Sequence, residues 1–194
     1  MINIPSHIRG LIFDLDGTLA DTMPIHVQAW AEAGKLYGLT ITGDMILPMA
    51  GMPTVAVVPE LNKTFDWNLD PVEFRHHKNE AYYRIKADLG KVRPISHIVK
   101  IAESYKDNLP MAVGTGSSHE NAIVSLNDLG ITHWFKGVVG ADDIQNPKPA
   151  PDTFLKCADM IKVHPRNCLV FEDGPMGIEA AKAAGMQVID IRVM

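Results

Sequence analysis

Gly10-Leu-Ile-Phe-Asp-Leu-Asp-Gly-Thr18 decides how this chain of 194 residues is read. Its first half, Gly10-Leu-Ile-Phe13, is a short apolar run without alternation, the pattern of a strand covered on both faces. Its second half sets Asp14 and Asp16 two residues apart, where that strand meets Gly17. Side chains at i and i+2 share a face of an extended chain. Two carboxylates held close together repel unless a cation or a shared proton lies between them. Such a pair lowers stability, so its presence points to chemistry rather than to architecture.

Outward from this stretch, a rhythm appears from about Leu109 to the end. The short β-rich runs Met111-Ala-Val-Gly114, Gly137-Val-Val139, Cys168-Leu-Val-Phe171 and Val188-Ile-Asp-Ile191 alternate with helical patterns over residues 119–129, 151–161 and 177–184. This alternation implies a parallel sheet with right-handed crossovers. Ser117 and Glu120 read as an S-x-x-E box opening a helix, Pro151 as a first-turn residue, and Gly130 and Gly185 as helix ends. All of these read as boundary residues with no chemistry of their own. Residues 22–91 break the rhythm, with helical spacing at 25–37 and 72–89 and almost no β-like run. The expected fold is α/β, a Rossmann-like, doubly wound parallel sheet built from residues 1–21 and 92–194. A helical cap, residues 22–91, is inserted after the first strand, with hinges expected at Pro24 and over residues 90–94.

Composition narrows the possibilities. The chain is 46% hydrophobic and 21% charged, which suffices for a buried core. A net charge of −5 and the lack of a basic stripe argue against nucleic acid as a partner. A phosphate-bearing ligand therefore needs a local positive centre that overrules the global field. Cys157 and Cys168 form neither a CxxC pair nor a zinc pattern, and read as buried free thiols. No apolar segment approaches the roughly 20 residues of a membrane span. The N-terminal apolar run is short and interrupted by Asp14 and Asp16, unlike a secretory leader. The expectation is a reduced, cytoplasmic protein that binds a small phosphorylated molecule, without nucleic acid or membrane partners, as a monomer or weak homodimer.

Open α/β sheets bind ligands outside the carboxyl ends of their strands. Four features fall at such ends: Asp14 and Asp16 after the first strand, Thr115 after the second, Lys148 after the third and Glu172-Asp173 after the fourth. Each has an ordinary explanation alone, as a calcium loop, a cap, a solvated lysine or an acidic turn. Together, in this order, they describe one site for Mg²⁺-assisted attack on phosphorus. Gly114-Thr-Gly116 is not half of a dinucleotide fingerprint, because the third glycine and the acidic partner beyond it are missing.

These motifs, Asp14-Leu-Asp-Gly-Thr18, Val113-Gly-Thr115, Lys148-Pro-Ala-Pro-Asp152 and Val170-Phe-Glu-Asp173, resemble those of the haloacid dehalogenase superfamily of phosphohydrolases. The resemblance is strongest to its β-phosphoglucomutase-like branch. Within that branch it is strongest to bacterial fructose-1-phosphate phosphatases, through Met111-Ala-Val-Gly-Thr-Gly-Ser117, Lys148-Pro-Ala-Pro-Asp-Thr-Phe154 and residues 170–193. It implies that Asp14 is a nucleophile forming an aspartyl-phosphate, and that Asp16 is a general acid and base. Lys148 bridges the phosphoryl group and Asp14, Thr115 donates to a phosphoryl oxygen, and Gly114 and Gly116 let backbone amides approach it. Mg²⁺ is expected on Asp14, the carbonyl of Asp16 and Asp173, with Glu172 contributing directly or through water.

The inserted segment is read more openly. His26 and Trp30 stand at i and i+4. Two readings hold for His26, assistance near Asp16 or a hydrogen-bonded hinge histidine, whereas Trp30 reads as packing. Lys78-Asn79 matches a substrate-contacting pair of the branch, against a solvated helix face. Mutases of the branch carry a cap arginine where Thr54 stands here, which favours hydrolysis over mutase chemistry. The expected activity is hydrolysis of a sugar phosphate such as fructose 1-phosphate. Its rivals are a β-phosphoglucomutase-like isomerase and a catalytically silent module that binds a phosphorylated ligand.

Overall fold

The computed structural model describes residues 4–194. Strands β1 (Gly10–Phe13), β2 (Met111–Gly114), β3 (Val138–Val139), β4 (Cys168–Glu172) and β5 (Gln187–Asp190) form one parallel sheet in the order β3-β2-β1-β4-β5. Four helices, α1 (Met23–Leu36), α2 (Gly43–Ile46), α3 (Thr54–Phe65) and α4 (Pro71–Leu89), separate β1 from α5 (Ser96–Tyr105). The helices α6 (His119–Leu129), α7 (Asp152–Met160) and α8 (Pro175–Ala183) alternate with the later strands. β1 pairs with β2 through Leu11↔Met111 and with β4 through Leu11↔Leu169. From β1 the chain builds outward to β2 and β3, then crosses to β4 and β5 on the other side. The strand order thus reverses between β1 and β4, the place where such sheets open a ligand crevice.

Strand residues alternate between two buried faces. Leu11, Phe13, Val113 and Phe171 pack with Ile98 and Ala102 of α5 and with Ala122 and Leu126 of α6. Ile12, Ala112 and Val170 pack with Phe154 and Cys157 of α7 and with Ala180 and Ala181 of α8. Phe13 and Phe171 stack at 4.7 Å across the β1–β4 seam. Burial of each such side chain is worth about 1.5–3 kcal/mol, so covering both faces holds the strand ends that carry the acidic residues. Cys157 and Cys168 are buried and free, as expected. No helix among the described residues is long and apolar enough to cross a membrane.

The segment between β1 and α5 has apolar clusters of its own. Trp30, Val57, Val58, Leu61 and Phe74 form one, and Ile25, Ala29, Ala81, Tyr82 and Ile85 another. The connections into and out of it run side by side, with Asp21 N bonded to Arg93 O and Ile95 N to Leu19 O, both at 2.9 Å. Pro24 lies within the first turn of α1 rather than in these connections. The helix α4 rests on α6 through the Lys86–Asp128 ion pair at 2.9 Å and a Tyr83–Asn121 hydrogen bond.

The structure departs from the sequence reading in places. The helices α2, α3 and α5 carry no helical assignment from sequence. α3 begins Thr54-Val-Ala-Val-Val58 and contains Pro59, a composition with poor helix propensity. Its burial of Val57, Val58 and Leu61 overrides that preference. The cap of α6 is Ser118, whose hydroxyl accepts from Asn121 N at 3.4 Å, and not Ser117 as the S-x-x-E spacing implies.

Candidate active site

Asp14 follows β1 and keeps to its ladder, its N–H bonded to Phe171 O at 2.9 Å. Its carboxylate is therefore held beside the end of β4. Lys148 Nζ donates to Asp14 Oδ1 at 2.8 Å, Glu172 Oε2 at 2.7 Å and Gly114 O at 3.2 Å, so all three ammonium hydrogens have acceptors. Glu172 Oε1 accepts from Gly174 N at 2.9 Å. Space for this carboxylate depends on Gly177, where a Cβ would lie 1.8 Å from Glu172 Oε2. Asp173 Oδ1 accepts from Thr18 Oγ1 at 2.8 Å. Gly17, at φ +91°, passes so close to Asp173 that a Cβ would lie 2.3 Å from its Oδ2.

Oxygens of Asp14, Glu172 and Asp173 lie within 4.8 Å of one another. Burial and the neighbouring Glu172 push Asp14 well above the usual carboxylate range, and Lys148 offsets only part of this. Burial and Glu172 likewise push Asp173 up to about 6. Burial alone would lower Lys148, but Asp14 and Glu172 outweigh it and hold the ammonium charged. Three hard oxygen donors facing one ammonium form a cluster that a divalent cation would relieve.

Asp16 has a different environment. Its Oδ1 accepts from Thr22 Oγ1 at 2.7 Å and lies 3.2 Å from His26 Nε2. Its Oδ2 accepts from Ser117 Oγ at 2.6 Å and from Thr115 Oγ1 at 3.2 Å. His26 Nδ1 lies 2.9 Å from Lys78 Nζ. An ammonium can only donate, so a neutral His26 accepts at Nδ1 and donates from Nε2 to Asp16. Burial raises Asp16, but His26 and the hydroxyls of Ser117 and Thr22 outweigh it and hold the carboxyl well below its ordinary range. Burial lowers Lys78 to about 8. His26 is lowered by burial and by Lys78, and its ring stacks on Tyr82 at 4.6 Å.

Both aspartates open onto one cavity of about 940 Å³ between the sheet's carboxyl end and the inserted helices. Thr115 and Gly116 line it from the sheet side, and His26, Lys78 and Asn79 from the helical side. Lys148, Glu172 and Asp173 stand behind Asp14. Trp30 lines the cavity and also packs on Phe74 at 5.0 Å. The structure adds packing reasons for both glycines. A Cβ at Gly116 would lie 2.3 Å from the Gly51 carbonyl oxygen, so this glycine admits the loop before α3. A Cβ at Gly114 would meet Cys157 Sγ at 2.9 Å, a packing constraint from α7.

The structure thus brings every residue chosen from sequence to one place, but divides the two motif aspartates between different neighbours. The Asp16 carboxylate is not part of the acidic group that Asp14 shares with Glu172 and Asp173. Sequence reasoning missed three hydroxyls: Thr18, Thr22 and Ser117. Thr22 occupies the N-cap of α1 without capping it, its hydroxyl turned to Asp16 instead. Two adjacent serines before α6 offered a signal, since one helix uses one cap.

A family model described as haloacid dehalogenase-like hydrolase matches residues 11–191. The chain is 42% identical to fructose-1-phosphate phosphatase YqaB of Escherichia coli (strain K12), over 95% of this chain and 97% of that protein. It is 29% identical to β-phosphoglucomutase of Bacillus subtilis (strain 168), over 95% and 83% respectively. A hydrolase from Pseudomonas syringae superposes with a TM-score of 0.84 at 25% identity, covering 93% of this chain and 83% of that one.

Proposed function

This chain belongs to the haloacid dehalogenase-like hydrolase family, and on that premise we propose that it is a Mg²⁺-dependent phosphatase of small sugar phosphates such as fructose 1-phosphate. The observation that carries this reading is the division of labour between two aspartates two residues apart. Asp14 lies among acidic groups with a single ammonium, and Asp16 among hydrogen-bond donors. The 42% identity to a fructose-1-phosphate phosphatase supports the choice of substrate.

Asp14 is the nucleophile, attacking phosphorus to form an aspartyl-phosphate while the alcohol departs. Lys148, fixed by Glu172 from behind, stabilises the charge that develops on the transferring group. Asp16, ionised in the free site, takes up a proton from solvent as substrate binds, delivers it to the leaving oxygen, and then takes a proton from the water that hydrolyses the aspartyl-phosphate. Thr115 turns its hydroxyl from Asp16 to a phosphoryl oxygen when substrate enters. Asp16 thereby loses a donor and its proton affinity rises when an acid is required. His26, oriented by Lys78 and stacked on Tyr82, keeps Asp16 aimed at the leaving oxygen. Asn79 and the backbone at Gly116 contact the substrate.

The oxygen cluster fits Mg²⁺, a hard ion preferring carboxylate, carbonyl and water ligands. Asp14, Asp173 and the Asp16 carbonyl would hold it, with Glu172 acting through water because both its oxygens already have partners. Bound there, the ion supplies charge neutralisation between a carboxylate and a phosphate dianion. Residues 22–91 act as a cap domain over a core of residues 1–21 and 92–194, excluding bulk water during the reaction. The two buried free thiols support a reducing, cytoplasmic setting, and nothing in the mechanism requires more than one chain.

The test is phosphate release from fructose 1-phosphate with Mg²⁺ present. Release should stop with a chelator and return with added Mg²⁺. Absence of release would overturn the reading. So would conversion of β-glucose 1-phosphate to glucose 6-phosphate with a bisphosphate primer and no free phosphate, which is the mutase outcome.

A further inference from the structure

The cavity beyond the two aspartates has an uneven charge. The inserted helix α4 lines it with Glu73 and Glu80, and the core lines it with Glu120 at the start of α6 and with Asp142. Against these four carboxylates, the described residues that line the cavity offer one exposed lysine or arginine, Arg75. His76 lies 3.4 Å from Glu80, His77 lies 3.5 Å from Glu80 and 4.0 Å from Glu73, and Lys78 is buried against His26. The rest of the distal lining offers neutral hydrogen-bonding groups, among them Asn79, Tyr83, Asn121 and Gln145. Thr54, at the start of α3, adds a hydroxyl and no charge.

We propose that this acidic wall is a charge filter: the site takes monophosphates of neutral polyhydroxy compounds and excludes substrates bearing a second anionic group. The inference rests on the phosphatase reading above and sharpens its substrate class. Lys148, together with a cation that Asp14 and Asp173 would hold, can neutralise a single phosphoryl group at the cavity floor. A second phosphate or a carboxylate on the same substrate would stand among Glu73, Glu80, Glu120 and Asp142. A cleft lined by one sign of charge focuses its field and lowers the local concentration of like-charged solutes. Neutral hydroxyls meet no such opposition, and the amide, phenol and carboxylate groups of the wall can all accept or donate to them. Two carboxylates come from the inserted helices and two from the sheet side, so both parts contribute to the filter.

The test uses two six-carbon probes that differ at one end, sorbitol 6-phosphate, ending in a neutral alcohol, and 6-phosphogluconate, ending in a carboxylate. Phosphate release with Mg²⁺ should favour the neutral probe by about tenfold or more in kcat/KM at low salt. That ratio should shrink between about 20 mM and about 500 mM salt, because exposed charges are screened over a Debye length. Discrimination by shape would not respond to salt. The double variant Glu120→Gln, Asp142→Asn should lower the ratio several-fold. The amide introduced by Asp142→Asn keeps an acceptor for the His119 N–H that Asp142 now binds at 2.8 Å. Equal turnover of both probes, or a ratio insensitive to salt, would overturn the filter while leaving the phosphatase reading intact. No release from either probe or from fructose 1-phosphate would overturn the phosphatase reading and the filter with it.

Discussion

Asp14 and Asp16 are separated by one residue, yet they occupy opposite electrostatic environments. Asp14 shares its surroundings with Glu172 and Asp173, and burial among acids raises its proton affinity. Asp16 is somewhat less buried, its side chain 14% exposed against 3% for Asp14, and three hydroxyls and an imidazole surround it, so its proton affinity falls. Burial pushes both carboxyls upward, so the opposite directions of their shifts come from the neighbours. Acidic neighbours create a demand for a cation beside a nucleophile. Donor neighbours hold a carboxylate ionised and in fixed orientation, so that it takes up a proton only when substrate draws a donor away. One short motif therefore supplies two chemically distinct groups because the fold delivers different partners to each.

The comparison can be broken most severely at Asp14. Asp14→Asn should lower kcat by at least about 10⁴-fold, the scale of losing a nucleophile. It removes a charge from beside Glu172 and Asp173 and keeps the shape, so the thermal midpoint should not fall by more than a few degrees. Wild-type phosphate release in that variant would erase the distinction between the two aspartates.

Asp16→Asn should cost about 10²–10⁴-fold on a sugar phosphate, the usual worth of a positioned proton donor. The rate of phospho-enzyme formation from an aryl phosphate should fall much less, since that leaving group departs without a proton. Burst kinetics on the two substrates measures the difference. Equal losses on both would show that Asp16 is not the acid.

Adjacent serines sharpen the comparison further. Ser117→Ala removes a hydroxyl from Asp16, and hydrogen bonds to charged groups are worth about 1.5–3 kcal/mol. A loss in kcat of about tenfold is expected, with little change in melting. Ser118→Ala removes the α6 cap and should do the reverse, costing about 1 kcal/mol of stability and leaving kcat near wild type. The same response from both variants would mean that Ser117 has no special relation to Asp16.

The smallest expected effect is on pH dependence. Lys78 is charged below about 8 and loses its proton as pH rises through that value. Only the charged form must donate to His26 Nδ1, so activity should decline a few-fold on the alkaline side. Lys78→Arg, which stays charged, should move that decline to higher pH. A limb unmoved by the substitution would detach Lys78 from the Asp16 side.

Much of this site was legible from local sequence. The strand ends at Asp14, Thr115 and Glu172 follow from apolar runs of four or five residues. Lys148, read from a loop motif, proved fully buried and bonded to Asp14, as expected, and also to Glu172, which was expected only near the metal. Among the inserted helices, α1 and α4 were read from the spacing of their apolar residues, whereas α3 was not, because its β-branched opening and internal proline mask it. Thr22 and Ser117 were hidden for another reason. Each sits where a helix cap belongs, and local spacing reads such residues as caps.

From the residues alone, the order of acidic, hydroxyl and basic groups along the chain could be placed on one rim. Parallel strands with right-handed crossovers carry their ends to the same side of a sheet. The roles of Asp14 and Asp16 were implied by the family resemblance, but their different electrostatic settings depended on residues 22, 26, 115 and 117 meeting one carboxylate and residues 148, 172 and 173 surrounding the other. Asp14 and Lys148 are 134 residues apart in the chain, and Asp16 and Ser117 are 101 apart. Such encounters are made by packing, because electrostatic environment is a property of neighbours in space and not of neighbours in the chain.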